Sequence, residues 1–288
     1  MSKDKTMKQK RVLVFEDYSC LGRCSLTVAL PILSALGIET VGIPTAVLSN
    51  HTSGFQSWTF ADLTSEILPS VEKWKDYNHH FDAIYTGYLG NGQVAIVQKA
   101  ISLLKEKDTL LFVDPAMADN GKLYPGFSDA HINEMMELVR EADLIVPNLS
   151  EAALLTHMPY EPEKSDQEYF VSLLKDLLKI GTNKALITGV KEKKDKIGMY
   201  YLAQGDKKVS SYSEEAFPGK YHGAGDIFAS AFLGLLLNDI SFSESLQIAG
   251  GFVKEAIKDT LGCDEKEVSY GLRFELALPY LLKKAEKK

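Results

Sequence analysis

Apolar residues along this chain fall into two recurring patterns. Short β-rich runs at Arg11 to Glu16, Glu39 to Ala46, Ala83 to Gly87, Thr109 to Asp114, Leu144 to Pro147 and Lys184 to Thr188 are mostly apolar along their whole length. A strand needs such continuous hydrophobicity when helices cover both of its faces, so these runs read as parallel central strands. Between them stand longer stretches with one apolar face. These are Leu21 to Leu36, Val94 to Leu104, a segment ending at Ile180 that opens with the capping-box pair Ser165 and Glu168, and another opening with Ser241 and Glu244. Ile227 to Leu237 is apolar all round, as a helix buried on every side must be. From Lys196 to Tyr212 the pattern changes to two short alternating segments around Gln204, Gly205 and Asp206, which predicts an antiparallel hairpin at a sheet edge. Strands alternating with helices predict an α/β protein: three layers, α/β/α, with a mostly parallel central sheet and an antiparallel edge hairpin.

No repeat, low-complexity stretch or Pro-rich linker interrupts the 288 residues, so one domain over 1–288 is expected, with 1–10 and 283–288 frayed. A net charge of -7 gives no field for nucleic acid or an anionic membrane, so an anionic ligand needs a local positive site. Cys20, Cys24 and Cys263 have neither disulfide-framework nor zinc spacing, which points to a reducing cytoplasm. The apolar run Val12 to Phe15 is too short for a signal peptide, and Ile227 to Leu237 falls short of the ~20 residues of a membrane span.

In an open parallel sheet, ligands bind beyond the carboxyl ends of the strands. Those positions hold Asp17, then Asn50 with His51 and Thr52, then Tyr88, Asp114, Asn148 and Thr188. Each alone is an ordinary turn or cap residue; their collection from separate strands is what suggests a site. The sharpest signal is Gly223-Ala224-Gly225-Asp226, directly before the apolar helix. Free N–H groups at a helix start, approached closely over glycines, make a phosphate site. The helix dipole contributes only about 0.3 to 2 kcal/mol, too little to neutralise a triphosphate, so a metal ion must add to it. Asp226 is then either a helix cap, the commoner job for that position, or a base that takes a proton from an attacking hydroxyl. No Walker A loop, dinucleotide glycine spacing, metalloprotease helix, serine elbow or protein-kinase catalytic loop competes.

At this point the chain resembles a known family over nearly its whole length: the vitamin B6 kinases, or pyridoxal kinases, of the ribokinase-like superfamily. The resemblance is carried, in the family's order, by Ser49-Asn50-His51-Thr52, Thr86-Gly87-Tyr88-Leu89-Gly90, Val113-Asp114-Pro115-Ala116-Met117, Pro147-Asn148-Leu149-Ser150-Glu151 and Gly223 to Asp226. It implies an ATP- and Mg²⁺-dependent kinase acting on a hydroxymethyl group, with pyridoxal leading, pyridoxine and pyridoxamine beside it, and a monovalent cation such as K⁺ compatible with it. It also implies a homodimer. Carried over by position, Asp226 deprotonates the substrate 5'-hydroxyl, and Gly223, Ala224 and Gly225 receive the γ-phosphoryl group. Asp114, Asp119 and Glu151 stand near the metal-triphosphate, Asn148, Thr188 and Gly189 near the nucleotide, and His51, Thr52 and Tyr88 at the substrate ring. The remaining histidines, His79, His80, His131, His157 and His222, are left to surface or packing.

Two departures bear on substrate identity. Asp17 stands where the family's serine meets the pyridine nitrogen, and Gly22-Arg23-Cys24-Ser25 replaces a more glycine-rich turn. An aspartate there either pairs with a protonated ring nitrogen or marks a different ring. The alternatives are hydroxymethylpyrimidine kinase, against which Asn50-His51-Thr52 argues, and a ligand-binding relative without catalysis, which has no reason to keep Asp226.

Overall fold

Apolar runs without a polar face must be covered on both sides. The computed structural model, which describes residues 8–74, 77, 79–164, 167–193 and 195–286, does this by stacking them as one sheet between two helical layers. The first half of the chain forms β1 (Arg11–Leu21), α1 (Leu26–Ala35), β2 (Glu39–Asn50), β3 (Phe60–Asp62), α2 (Thr64–Trp74), β4 (Ala83–Thr86), α3 (Gln93–Leu104) and β5 (Leu110–Val113). A small hairpin, β6 (Ala118–Asp119) and β7 (Lys122–Leu123), precedes α4 (Asp129–Glu141), β8 (Leu144–Ile145), α5 (Leu149–Thr156) and α6 (Gln167–Ile180). Then come β9 (Lys184–Lys193), β10 (Lys196–Ala203), β11 (Ser210–Glu215), α7 (Ala224–Leu237), α8 (Phe242–Thr260), α9 (Glu265–Ser269) and α10 (Phe274–Ala285).

The sheet order is β11-β10-β9-β8-β5-β4-β1-β2-β3. Pairings from β2 through β1, β4, β5 and β8 to β9 are parallel, while β9/β10, β10/β11 and β2/β3 are antiparallel. The expected hairpin is thus present at one edge, and β3 adds an antiparallel strand at the other. Alternate residues of β1 serve opposite cores: Leu13 and Phe15 pack with α2 to α6, and Val12 and Val14 with α1, α7, α8 and α10. Because β2 and β4 lie on opposite sides of β1, the connections leaving its carboxyl end diverge and open a crevice there.

β1, β2 and β9 run longer than their apolar cores suggest, while β4, β5 and β8 are shorter. β1 continues past a register shift between Glu16 and Tyr18 and pairs with β2 as far as Leu21 and Asn50. Asp17 therefore sits at an irregularity inside a strand, not after it, and α1 begins at Leu26, not Leu21. Ser241 caps α8 as its spacing requires, accepting from the Glu244 N–H at 3.3 Å. The cap at Ser165 lies outside the described residues. α10 runs to Ala285, with Lys283 and Lys284 in its last turn, where cations complement the dipole. Lys10 forms an ion pair with Asp82 at 3.0 Å.

Candidate active site

Beyond the carboxyl ends of β1, β4, β5 and β8, against the start of α7, lies a cavity of about 540 Å³. Of the residues singled out for the site, all but Asn50 line it, from Asp17 on β1 to Asp226 on α7; the Asn50 side-chain amide instead donates to the His51 and Ser57 carbonyls at 3.1 and 3.2 Å.

The start of α7 depends on glycine chemistry. Gly223, the N-cap, has φ 78, and a Cβ there would overlap the carbonyl oxygen of Arg23. Gly225 has no atom within 4 Å of where its Cβ would stand, so the first turn faces open space with its N–H groups free of helical partners. Asp226, one residue on, accepts a hydrogen bond from the Ser25 backbone N–H at 2.9 Å. Ser25 also donates through its hydroxyl to Asp17 Oδ1 at 2.6 Å, and Ser19 donates to Asp17 Oδ2 at 2.8 Å. One residue therefore joins the two carboxylates, and it does so at φ 50, ψ -134, an uncommon conformation for a residue with a side chain.

Burial pushes the Asp226 carboxyl up to about 6, the charge of Asp17 adding to the effect and the Ser25 N–H opposing it. With Asp226 as the base that the sequence resemblance implies, it must be ionised to work, and kcat/KM is expected to fall below about pH 6 with a slope of one; a flat profile from pH 5 to 8 would contradict that assignment. Asp17 is also raised, by burial, against the two serine hydroxyls.

On the same side, His51 is buried and its Nε2 lies 2.9 Å from the Ser269 carbonyl oxygen, with Phe55 edge-on at 4.9 Å. Burial lowers its pKa, which favours the neutral ring. Gly22, at φ 117, leaves the space this imidazole fills. Tyr88 stacks on Phe127 at 5.6 Å and forms an aromatic wall, while Thr52 is exposed at the rim.

On the other side, Asn148 and Glu151 form the capping box of α5. Asn148 Oδ1 accepts from Glu151 N at 3.0 Å, and Glu151 Oε2 accepts from Asn148 N at 2.8 Å. Glu151 Oε1 accepts from Met117 N at 3.2 Å, so this acid organises backbone; burial raises it to about 8. Thr188 joins Asn148 through an isolated parallel bridge, and Gly189 at φ 68 faces open space. Asp119 is engaged by Asn120, whose backbone and side chain both donate to it. Asp114 is buried, raised by burial and by the charges of Glu151 and Asp226, and its carboxylate accepts no hydrogen bond from the described residues. Among the described residues no group of three or more His, Cys, Asp or Glu forms a complete metal cage. Mg²⁺ typically takes one or two carboxylates and completes its shell with water and substrate phosphates. Asp114, short of donors and surrounded by negative charge, fits such an ion best.

Several lining residues were not legible in the sequence. Ser19 belongs to a part of β1 that no motif marks, and Cys24 and Ser25 stand in the turn read above as a departure from the family pattern, without a role. His222, assigned above to surface or packing, lines the cavity 5.5 Å from the His51 ring, and Lys220 and Lys254 bring positive charge to an otherwise acidic lining. Nearness to Gly223 was the one signal for Lys220 and His222. Glu16 is fully buried, with neither carboxylate oxygen hydrogen-bonded, in space kept open by Gly87. Burial first, then the charge of Asp226, with the nearby Tyr85 hydroxyl opposing and the charges of Asp17 and Asp114 adding, raises it well above the usual carboxylate range.

Comparison with known proteins bears on what such a cavity does. A family model described as phosphomethylpyrimidine kinase matches residues 30–270. A solved structure from Bacteroides thetaiotaomicron that carries the name phosphomethylpyrimidine kinase, in a crystal form with pyridoxal, superposes with a TM-score of 0.89 at 35% identity, over 95% of this chain and 96% of that one. The pyridoxal kinase of Lactobacillus plantarum superposes with a TM-score of 0.85 at 31% identity, over 95% of this chain and 97% of that one. A curated pyridoxal kinase of Pasteurella multocida is 26% identical over 95% of this chain and 96% of its own length. Among the described residues no helix is long and apolar enough to cross a membrane. With its fold and sequence both accounted for over nearly the whole length, the chain belongs to the phosphomethylpyrimidine kinase family and is an ATP-dependent, ribokinase-like kinase acting on a small hydroxymethyl-bearing substrate.

Proposed function

We propose that the acceptor is a flat, hydroxymethyl-bearing nitrogen heteroaromatic, bound between Tyr88, His51 and Asp17 with its hydroxymethyl group toward Asp226. The observation that carries this reading is the Ser25 bridge: it holds a ring-side carboxylate and the acid at the start of α7 in one hydrogen-bonded unit. In the proposed reaction Asp226 accepts the hydroxyl proton, the freed oxygen attacks the γ-phosphorus of ATP, and the bond to the β-phosphate oxygen breaks to release ADP. The N–H groups at the start of α7 receive the charge on the transferred group. Mg²⁺ held at Asp114 would neutralise the triphosphate, and Asn148, Thr188 and Gly189 would border the nucleotide.

Two rings fit this description. The family match and the name of the structure at 35% identity weigh toward hydroxymethylpyrimidine, so pyridoxal, the leading ring in the sequence reading, no longer leads. A specific observation keeps it as the second reading: one crystal form of that same relative is with pyridoxal, and curated relatives from Pasteurella multocida and Dictyostelium discoideum carry the name pyridoxal kinase. A buried carboxylate at Asp17 serves either one, since a protonated pyridine or an aminopyrimidine presents an N–H donor to it. ADP release with 4-amino-5-hydroxymethyl-2-methylpyrimidine, pyridoxal, pyridoxine and pyridoxamine, compared as kcat/KM, decides between them. Turnover of at least one is expected; ADP release with none would refute the reading. The homodimer implied by the sequence resemblance is part of this proposal, and a monomeric mass at micromolar concentration would remove it.

A further inference from the structure

We propose that Arg23 is a positioning residue for phosphoryl transfer, which clamps the turn after β1 to the segment around α9 so that the Ser25 N–H stays on Asp226. Its Nε reaches both carboxylate oxygens of Glu275, at 2.9 and 3.0 Å. Nη1 donates to the Gly271 carbonyl at 3.2 Å, and Nη2 lies 3.6 Å from Glu267 Oε1. The Arg23 backbone N–H donates to the Tyr270 carbonyl at 2.7 Å. Its own carbonyl oxygen occupies the space where side chains on Gly223 and Gly271 would begin: a Cβ would overlap it at Gly223 and stand 2.9 Å from it at Gly271. The residue thus touches the N-cap of α7 directly and, two positions on, delivers the N–H that Asp226 accepts at 2.9 Å. The clamped segment also meets the opposite wall of the cavity, through Ser269 O at His51 and through Leu272 N, which donates to His222 O at 3.2 Å.

The energetics favour a geometric role. The Arg23 and Glu275 side chains keep 23% and 50% of their surface, and ion pairs so exposed contribute little to stability. A reacting carboxylate displaced by an ångström, by contrast, can lose on the order of 100-fold in rate.

The groups in electrostatic contact with Asp226 are Asp17, Glu16, Asp114, Cys24, Tyr85 and Tyr124. The Arg23 guanidinium is turned to Glu267 and Glu275, so its loss acts on Asp226 through the Ser25 N–H. That hydrogen bond stabilises the carboxylate, and weakening it moves the acid limb of the pH profile upward from about 6.

The role rests on Asp226 being the base, and the test separates the two. Arg23→Gln, Arg23→Lys, Glu275→Gln and Asp226→Asn are compared with the parent protein, using MgATP and the best heterocycle of the panel from pH 5 to 9, with thermal unfolding of each. Arg23→Gln is expected to lose roughly 10- to 100-fold in kcat. Its KM for ATP should change little and its acid limb should move up. Arg23→Lys should recover part of the rate, and Glu275→Gln should show a smaller effect in the same direction, so the inference stays testable if Arg23→Gln does not fold. An unmoved acid limb and parental kcat in Arg23→Gln, or a loss matched by its unfolding alone, overturns the role of Arg23 even with Asp226→Asn inactive. An active Asp226→Asn overturns instead the assignment of the base, and with it the reason to position that group.

Discussion

Replacing Asp226 by Asn is expected to lower kcat by at least about 100-fold while ATP still binds. The acid is the one group at the start of α7 able to take a proton, and its carboxylate is already oriented by the Ser25 N–H. Asn keeps the shape and can accept the same hydrogen bond, so the loss isolates proton transfer. Steady-state kinetics with the best acceptor, alongside titration of nucleotide binding, checks both halves; parental turnover would exclude Asp226 as the base. The same variant carries a stability signature. Asp226 is raised to about 6 in the fold, against an ordinary aspartate near 3.9 in the unfolded chain. A raised acid favours folding while it is protonated, and that contribution is fully present below about pH 3.9 and lost as pH rises through about 6. Asp226→Asn should therefore melt above the parent at pH 8, with the gap shrinking toward pH 4. A variant that melts lower at pH 8 would show that the carboxylate helps to hold the fold together.

Gly223→Ala is expected to be the second most damaging change. Alanine at φ 78 is held in the left-handed region, at a cost of roughly 1 to 2 kcal/mol, and its methyl group would collide with the Arg23 carbonyl. The Arg23 backbone cannot yield freely, because its N–H is bonded to Tyr270 and its side chain to Gly271 and Glu275. The first turn of α7 must move instead, and its N–H groups with it. Loss of one such donor from a developing anion typically costs ~2.7 to 4 kcal/mol, roughly 100- to 1,000-fold in kcat. Kinetics and thermal unfolding together check this: kcat within about threefold of the parent would mean that the first turn does not need this geometry.

How far the site could be read from the residues depended on the kind of signal. Asp226 and its glycines were visible because a helix start has a local signature, small residues and an acid ahead of an apolar run. Asp114 and Asn148 were visible because a parallel strand announces its own end; Thr188 was read the same way but lies inside β9, which runs on to Lys193. Ser19, Ser25 and the clamp at Arg23 were not, because their partners lie far along the chain: Ser25 meets Asp226, and Arg23 meets Glu275. Glu16 reads in sequence as the polar end of a strand, yet it lies fully buried because β1 continues to Leu21 along β2.

The sequence by itself determined the α/β class, the parallel core strands, the edge hairpin and the buried helix with its phosphate-ready start. Each follows from periodicity or from backbone chemistry within a few residues. Only the tertiary structure decided that Asp17 would lie within a strand, that Glu151 would spend both oxygens on backbone N–H groups, and that one serine would join the Asp17 carboxylate to Asp226. Hydrophobic patterning sets which face of an element is buried. Which polar groups then meet across the crevice depends on how strands and loops distant in sequence extend and pack, and that is settled by long-range pairing alone.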